Sequence, residues 1–79
     1  MSYENIRVMA HSGYRRDEKP LAFFIHNEKI TVLEILDMWI EENLHHKKRQ
    51  RFFIVKGNDN LRYKIYIDEE SQEWFCEVE

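Results

Sequence analysis

Polar and apolar residues alternate along the last third of the chain, and this period-two pattern predicts a β-hairpin. Pairing Asp68 with Glu73 across the four-residue loop 69–72 fixes the register of both strands. On one face the resulting pairs are Ile67 with Trp74, Ile65 with Cys76 and Tyr63 with Val78. On the other face they are Tyr66 with Phe75, Lys64 with Glu77 and Arg62 with Glu79. Apolar, aromatic and oppositely charged partners all favour this one register.

The first half of the chain carries two more strand signals. Residues 4–10 alternate, with Ile6 and Val8 on one face, and the polar stretch 11–19 predicts a loop. Pro20 follows, at the first position of a strand, where a missing backbone donor is tolerated. Residues 21–32 predict a second hairpin with Asn27-Glu28 at its tip. In that register the apolar face pairs Ile25 with Ile30 and Phe23 with Val32.

Residues 51–56 are apolar on both faces, which is typical of a central strand covered on each side. The sequence Gly57-Asn58-Asp59-Asn60 predicts the turn that follows. The sequence does not choose between a two-residue and a three-residue turn. That choice decides which face of the strand, Phe52 and Ile54 or Phe53 and Val55, joins the apolar face of the terminal hairpin.

The segment 32–43 is expected to be a helix. Thr31 and Glu34 fit a capping box, and His45 to Lys48 lie just beyond the end of the segment, as the helix dipole prefers. The alternative is a bulged, bent strand over 29–42, which would carry Ile35, Asp37 and Trp39 on one side. We favour the helix because six apolar residues fall at helical spacing: Val32, Ile35, Leu36, Trp39, Ile40 and Leu44.

These elements predict a single α+β, β-rich domain over residues 1–79. The expected architecture is a five-stranded antiparallel curled sheet or small open barrel with one helix near 32–43. The alternative is an all-β small barrel in which 29–42 is one bent strand. Residues 1–19 supply an N-terminal strand and polar loop, and residues 20–78 form the core.

Composition excludes several classes of protein. The 79 residues are 43% hydrophobic and carry one cysteine, Cys76, so an internal disulfide is excluded and the thiol is expected to pack as a small hydrophobe. The net charge of −3 argues mildly against nucleic acid. No apolar run reaches membrane length and no signal peptide is present, so we expect a cytoplasmic protein without a membrane partner.

The sequence contains no recognisable set of catalytic or metal-binding residues. The four histidines lack ligand spacing, because His45 and His46 are adjacent and His11 and His26 stand alone. No nucleophile motif or glycine-rich phosphate loop is present. We therefore expect no catalytic residue, no cofactor, no metal and no enzymatic activity.

The spacing of one set of residues resembles a bacterial family of small domains of unknown function. Members occur alone or as C-terminal additions to chains similar to translesion DNA polymerases, which implies an accessory or interaction module near DNA metabolism. The likeness covers residues 20–78; the family tends to have an aromatic residue at positions 25 and 30 and glycine at 27. The matched residues are Pro20, Phe23, Ile25, Asn27, Ile30, Val32, Ile35, Leu36, Asp37, Trp39, Phe52, Phe53, Val55, Tyr63, Ile65, Tyr66, Asp68, Trp74 and Phe75.

Two functions remain. The leading hypothesis is a protein-interaction or accessory module that binds an unknown partner or a second copy, through an edge strand (residues 6–10 or 74–78) or an uncovered aromatic patch. The alternative is binding of single-stranded nucleic acid on sheet-face aromatics, although Glu77 and Glu79 line the same face and would repel phosphate. The residues of that second surface are Lys47, Lys48, Arg49, Arg51, Arg62, Lys64, Tyr66 and Phe75.

Overall fold

The computed structural model contains six antiparallel strands and describes residues 2–11, 19–43, 45 and 48–78, with backbone alone for residue 11. Each strand pairs with the next, and the sixth pairs with the first, so the strands close into a barrel. This small all-β barrel differs from the expected five strands and helix. The polar loop predicted over 11–19 lies mostly outside the described residues. The strands are β1 (Ser2–His11), β2 (Lys19–Ile25), β3 (Glu28–Asn43), β4 (Lys48–Gly57), β5 (Arg62–Asp68) and β6 (Glu73–Val78).

The terminal hairpin has the register that the alternation predicts. Asp68 pairs with Glu73, and the next three pairs are Ile67–Trp74, Tyr66–Phe75 and Ile65–Cys76. The Asp68 carboxylate accepts the amides of Glu70 and Ser71 at 2.9 and 3.3 Å, which holds the loop in place. Because side chains alternate across a strand, Trp74 enters the core and Phe75 lies on the outer face.

The second hairpin forms between β2 and β3, but its predicted register is wrong. The tip is His26-Asn27, and Phe23 pairs with Ile30 rather than with Val32. Both tip residues have positive φ (49° and 66°), as a type I′ turn requires, and asparagine tolerates that conformation better than the glutamate of the predicted tip. The partner of each residue moves by two positions, so every side chain keeps the face that the alternation gave it.

The turn between β4 and β5 has three residues, 58–60. Asn60 has a φ of 67°, as in the three-residue hairpins that end in a left-handed residue. Gly57 donates its amide to the Leu61 carbonyl and accepts the Asn60 amide, both at 2.9 Å. This turn places Val55 opposite Tyr63 and Phe53 opposite Ile65, so the odd-numbered residues of β4 face the core.

The helix predicted for 32–43 is absent, because these residues form the greater part of strand β3. Two bulges, between Val32 and Glu34 and between Ile35 and Asp37, explain the misleading spacing. Each bulge adds one residue to β3, so the partners of Gly57, Val55 and Phe53 are residues 32, 35 and 38, three apart rather than two. A strand with a bulge at each repeat thus imitates the spacing of a helix. The bent strand named as the alternative is confirmed, but Ile35 faces the core with Val55 whereas Asp37 and Trp39 face outward, so these three residues do not share one side as predicted.

The core lies between the strands and is built from inward-facing aromatic and branched residues. Ile6 and Val8 of β1 pack against it, as the alternation in residues 4–10 predicts. Cys76 is a free, fully buried thiol within it, and burial raises its pKa to about 11. The buried residues of the cluster are Phe23, Ile30, Phe53, Val55, Ile65, Ile67, Trp74 and Cys76.

Strand β3 changes partner a quarter of the way along its length. Its first four residues pair with β2, and from Val32 to Asn43 it pairs with β4. Pro20 lies in the part of β2 that would otherwise continue the β3 ladder, and proline has no amide to donate. Strand β3 therefore changes its pairing partner from β2 to β4 at the first bulge. We call residues 35–43 of β3 with residues 48–55 of β4 the β3–β4 arm.

Candidate interaction surfaces

Four aromatic side chains form a row across the outer face of the barrel. Trp39, Phe52, Tyr66 and Phe75 are direct cross-strand partners on β3, β4, β5 and β6. The centroids of neighbouring rings lie 5.3, 4.8 and 5.0 Å apart, close to the spacing between strands. We call these four residues the aromatic row.

The faces of the inner rings in the aromatic row are covered by their neighbours. Trp39 stacks on Phe52 with 4° between the ring planes, and Tyr66 stacks on Phe75 with 21°. Phe52 is only 6% exposed although it points away from the core. Tyr3 adds a fifth ring, edge-to-face against Tyr66 at 5.0 Å. The row therefore stabilises the sheet from outside and offers few free ring faces to a ligand.

Lys64 lies beside the aromatic row on the outer face of the sheet. Its ammonium lies 5.2 Å from the Phe52 centroid and 5.7 Å from that of Trp39, within the range of cation–π attraction. The Nζ atom also approaches the Glu77 carboxylate at 3.7 Å. A hydrogen bond with Tyr3, supported by the nearby carboxylates, raises the pKa of Lys64. The lysine that was expected to meet phosphate is therefore held by groups of its own domain.

The predicted basic run does not join the aromatic row. The guanidinium of Arg51 lies 2.8 Å from Glu69, and that of Arg49 lies 3.3 Å from Glu69 and 3.7 Å from Glu42. Both arginines are odd-numbered residues of β4, as is Phe53. They therefore lie on the opposite side of β4 from Phe52. Carboxylates thus neutralise the two arginines that the sequence assigned to phosphate.

Of the eight residues predicted as one surface, the structure brings together Lys64, Tyr66 and Phe75. Lys48 is exposed at the start of β4, opposite Asn43. Arg62 is exposed at the start of β5, opposite Lys56. Lys47 lies outside the described residues. The surface therefore divides into several patches.

Sequence reasoning missed Trp39 and Phe52 as members of the row. Trp39 was assigned to a helix, which removed it from the sheet. Phe52 was placed correctly in a central strand, but the turn length that decides its face was open. Once β3 is taken as a strand, the cross-strand pairing of aromatic residues is the signal that would have found both residues.

A second surface lies on the arm, at the edge of β3 that faces away from β4. Beyond Thr31, no strand among residues 2–11, 19–43 and 48–78 pairs with this edge. The two edges proposed from the sequence are instead paired within the barrel, because β1 pairs with both β2 and β6, and β6 also pairs with β5. An unpaired edge presents backbone donors and acceptors to any extended chain.

Apolar side chains of unusual exposure lie along this edge. Leu33 and Leu36 are the extra residues of the two bulges and are 58% and 39% exposed. Met38 and Ile40 follow at 51% and 44%. Small monomeric proteins seldom expose several large apolar residues side by side unless the patch contacts something. We call Leu33, Leu36, Met38 and Ile40 the apolar edge.

Carboxylates occupy the other face of the same strand. Glu34, Asp37 and Glu41 are exposed and stand opposite Lys56, Ile54 and Gln50, the outward positions of β4. Glu41 also accepts the indole N–H of Trp39 at 2.9 Å. No lysine or arginine occurs between Lys29 and Lys47. The unpaired edge is therefore acidic on its outer face and apolar on its inner face.

Titratable groups elsewhere serve the turns and the sheet. The Tyr63 hydroxyl donates to Asp59 in the β4–β5 turn; burial, with Asp59, raises the pKa of Tyr63 to about 12, and the same bond lowers the pKa of Asp59. Within the part of the chain that the structure describes, no group of three or more histidine, cysteine or acidic residues is placed to hold a metal ion.

Comparison with protein-family models, curated proteins and solved structures finds nothing that matches this chain. Its described residues include no helix long and apolar enough to cross a membrane. The resemblance to the bacterial domain family stays a prediction. What can be proposed about function therefore depends on the two surfaces just described.

Proposed function

We propose that this chain is a non-catalytic accessory domain that binds a protein partner by strand addition at β3. The unpaired edge of the arm carries this proposal. Strand addition uses main-chain hydrogen bonds for affinity and alternate side chains for specificity, and the arm offers both a free ladder and an exposed apolar edge.

The length of the free edge supports binding of a peptide segment. From Val32 to Glu42 it is as long as a full strand of a typical sheet, and it is anchored along its whole length by β4 on the other side. Native proteins usually protect such edges with lysine, proline or a short strand. Residues 32–43 contain neither lysine nor proline. The edge thus lacks lysine, proline and shortness as protection against edge-to-edge pairing, whereas its two bulges and its carboxylates partly protect it.

Nucleic acid is the weaker candidate on electrostatic and geometric grounds. Base stacking requires exposed ring faces beside a cationic track. The faces of Phe52 and Tyr66 are covered by other rings, Lys64 is paired with Glu77, and Arg51 with Glu69. An acidic domain of net charge −3 also repels phosphate at long range.

The proposal is tested by selecting displayed ten-residue peptides against the purified chain. We expect selected peptides to slow amide exchange within residues 33–41 and not within β5. Leu33→Asp should weaken their binding at least tenfold, because the substituted bulge residue lies on the edge. Leu61→Asp is the matched control, since Leu61 is equally exposed (58%) but lies in the β4–β5 turn.

Two results would contradict strand addition. Equal loss of binding in both leucine variants would show that the edge has no special role. A salt-dependent anisotropy change with a labelled oligonucleotide, abolished by Phe75→Ala but not by Leu33→Asp, would instead favour single-stranded nucleic acid on the aromatic row.

A further inference from the structure

We infer that the strand accepted by β3 is basic on one face and apolar on the other, with lysine or arginine alternating with branched apolar residues. This inference rests on the proposed strand addition and adds the chemical class of the partner. The observation behind it is the division of charge across the two faces of β3, described above.

The register of an added strand determines which side chains the partner needs on each face of β3. Side chains of a newly added strand would stand beside those of β3 on the same face, about 5 Å away. On the outer face they would meet Glu34, Asp37 and Glu41, with Trp39 between the last two, so a cation is favoured beside each carboxylate. On the inner face they would meet Met38 and Ile40, so an apolar residue is favoured at the positions between.

Strand β4 already illustrates part of this complementarity on the opposite edge of β3. On the outer face Lys56 stands opposite Glu34, whereas Asp37 and Glu41 stand opposite the uncharged Ile54 and Gln50. Val55 and Phe53 stand opposite Ile35 and Met38 on the inner face. Two outer-face carboxylates, Asp37 and Glu41, thus face no cation of β4, and the partner strand is inferred to supply cations beside them.

Charge argues against a second copy of this chain as the occupant. Antiparallel pairing of two β3 edges would bring Glu34, Asp37 and Glu41 of both copies onto one outer face, with no lysine or arginine between residues 30 and 46 to offset them. Like charges placed opposite each other in adjacent strands are destabilising. A homodimer through β3 is therefore disfavoured, and a basic segment of another protein fits better.

The test uses synthetic ten-residue peptides whose apolar positions are valine. In one peptide the alternate positions are lysine, in a second threonine and in a third glutamate; a fourth has the composition of the lysine peptide in a non-alternating order. Binding is measured by fluorescence anisotropy, with amide exchange of residues 33–41 to locate the site. We expect the alternating lysine peptide to bind at least about tenfold more tightly than the threonine peptide, with several carboxylates each contributing modestly.

Charge-neutral variants assign the effect to β3. Glu34→Gln with Glu41→Gln should weaken the alternating lysine peptide by about fivefold at low salt, because two exposed ion pairs are removed. Glu28→Gln with Glu70→Gln removes the same charge from the paired start of β3 and from the β5–β6 loop, and should leave binding unchanged. The difference between the variants should shrink at 0.5 M salt.

The outcomes separate the partner class from the proposed function. Equal binding of the lysine and threonine peptides, with protection of 33–41, would overturn the basic class and leave strand addition standing. Equal binding of the alternating and non-alternating lysine peptides would overturn the inference, because charge alone would then suffice. Binding with protection elsewhere, or no binding of any peptide, would overturn both, and concentration-dependent sedimentation would identify a second copy as the occupant.

Discussion

Polar and apolar residues alternate both in the strands that are paired on two sides and in β3, which is paired on one side, but their apolar residues are buried in the first group and exposed in β3. Strands β5, β6 and β1 pair with neighbours on both sides, and their apolar residues Ile65, Ile67 and Trp74 are buried. The arm pairs on one side of β3, and its apolar residues Met38 and Ile40 remain about half exposed. Apolar composition alone therefore does not define a core; closure of the sheet decides which apolar residues are covered.

The comparison also separates stability from function. Residues that hold the fold together lie on strands paired on both sides, including β4, and the carboxylates and leucines with no such task lie on the free edge of β3. Regions with few buried contacts are the ones that open first and bind partners. Four predictions test this division, from the largest expected effect to the smallest.

Phe53 and Met38 are direct cross-strand partners with opposite environments, fully buried and 51% exposed. Phe53→Ala should lower the free energy of unfolding by about 3–5 kcal/mol, because it removes a core ring and leaves a cavity. Met38→Ala should cost less than about 1 kcal/mol, as surface substitutions usually do. Urea unfolding measures both values. Similar losses in the two variants would show that Met38 is part of the core.

Ionisation of the buried Cys76 thiol should lower the free energy of unfolding at alkaline pH. Its folded-state pKa is raised from 9.0 to about 11, so the folded state holds the proton more strongly than the unfolded chain does. The associated stability is fully present below pH 9 and is lost as the pH rises to 11, a change of about 2–3 kcal/mol.

Cys76→Ala removes this pH dependence while imposing a constant cost at lower pH. Unfolding free energies of both proteins at pH 8, 9, 10 and 11 give the comparison. Tyr63→Phe is the control, because the pKa of Tyr63 is raised to about 12 and its contribution is lost at higher pH. Parallel pH profiles for wild type and Cys76→Ala would contradict this role for the buried thiol.

Lys64→Met should lower the free energy of unfolding by about 1 kcal/mol, through lost cation–π attraction and a lost ion pair. Methionine keeps the aliphatic contact with the aromatic row. Lys48→Met is the control at the exposed start of β4 and should change stability by less than about 0.5 kcal/mol. Thermal unfolding at matched ionic strength distinguishes the two variants; equal shifts would mean that the cation beside the row contributes nothing specific.

Leu36→Thr should have the smallest effect, below about 0.5 kcal/mol, because the side chain of this bulge residue is exposed. Amide exchange should be faster throughout residues 36–41 than in residues 64–67, in wild type and variant alike. Leu61→Thr is a second exposed leucine for comparison. A marked loss of stability in Leu36→Thr alone would indicate that the edge is covered in the isolated chain.

Local patterns predicted the faces of side chains well and the partners of strands less well. In the terminal hairpin the four pairs from Asp68–Glu73 to Ile65–Cys76 were predicted correctly, because the aromatic and apolar pairs agree on one register; Glu79, the predicted partner of Arg62, lies outside the described residues. In the β2–β3 hairpin, Phe23 and Ile30 were placed on the correct face, but the tip was assigned one residue too late. Face follows from a period of two, whereas the partner depends on which residues accept positive φ at the turn.

The error over 32–43 has a specific cause. Val32 and Ile35, the first two residues of the predicted helical stripe, lie three apart because a bulge lengthens β3 against β4, and an interval of three is also the mark of a helix. The capping sequence Thr31 to Glu34 strengthened that interpretation. Local propensity was overridden by ten cross-strand pairs with β4, which no window of neighbouring residues contains.

For the candidate sites, the sequence identified Lys64, Tyr66 and Phe75 as neighbours because the hairpin that holds them is local. It grouped Arg49 and Arg51 with them because they are close along the chain. Side chains alternate across β4, however, so both arginines lie on the other side of the strand, with Glu69 as partner. The acidic and apolar faces of β3 could not be separated until the positions of its bulges were known.

By itself the sequence determined the two hairpins, the central strand and the inward or outward direction of most side chains, because alternation and turn residues act between near neighbours. Only the tertiary structure decided that six strands close on themselves, that β3 pairs along one side, and that its acidic and apolar faces stay open. Those features depend on pairing between distant segments, where the gain from joining strands outweighs the conformational preference of any single stretch.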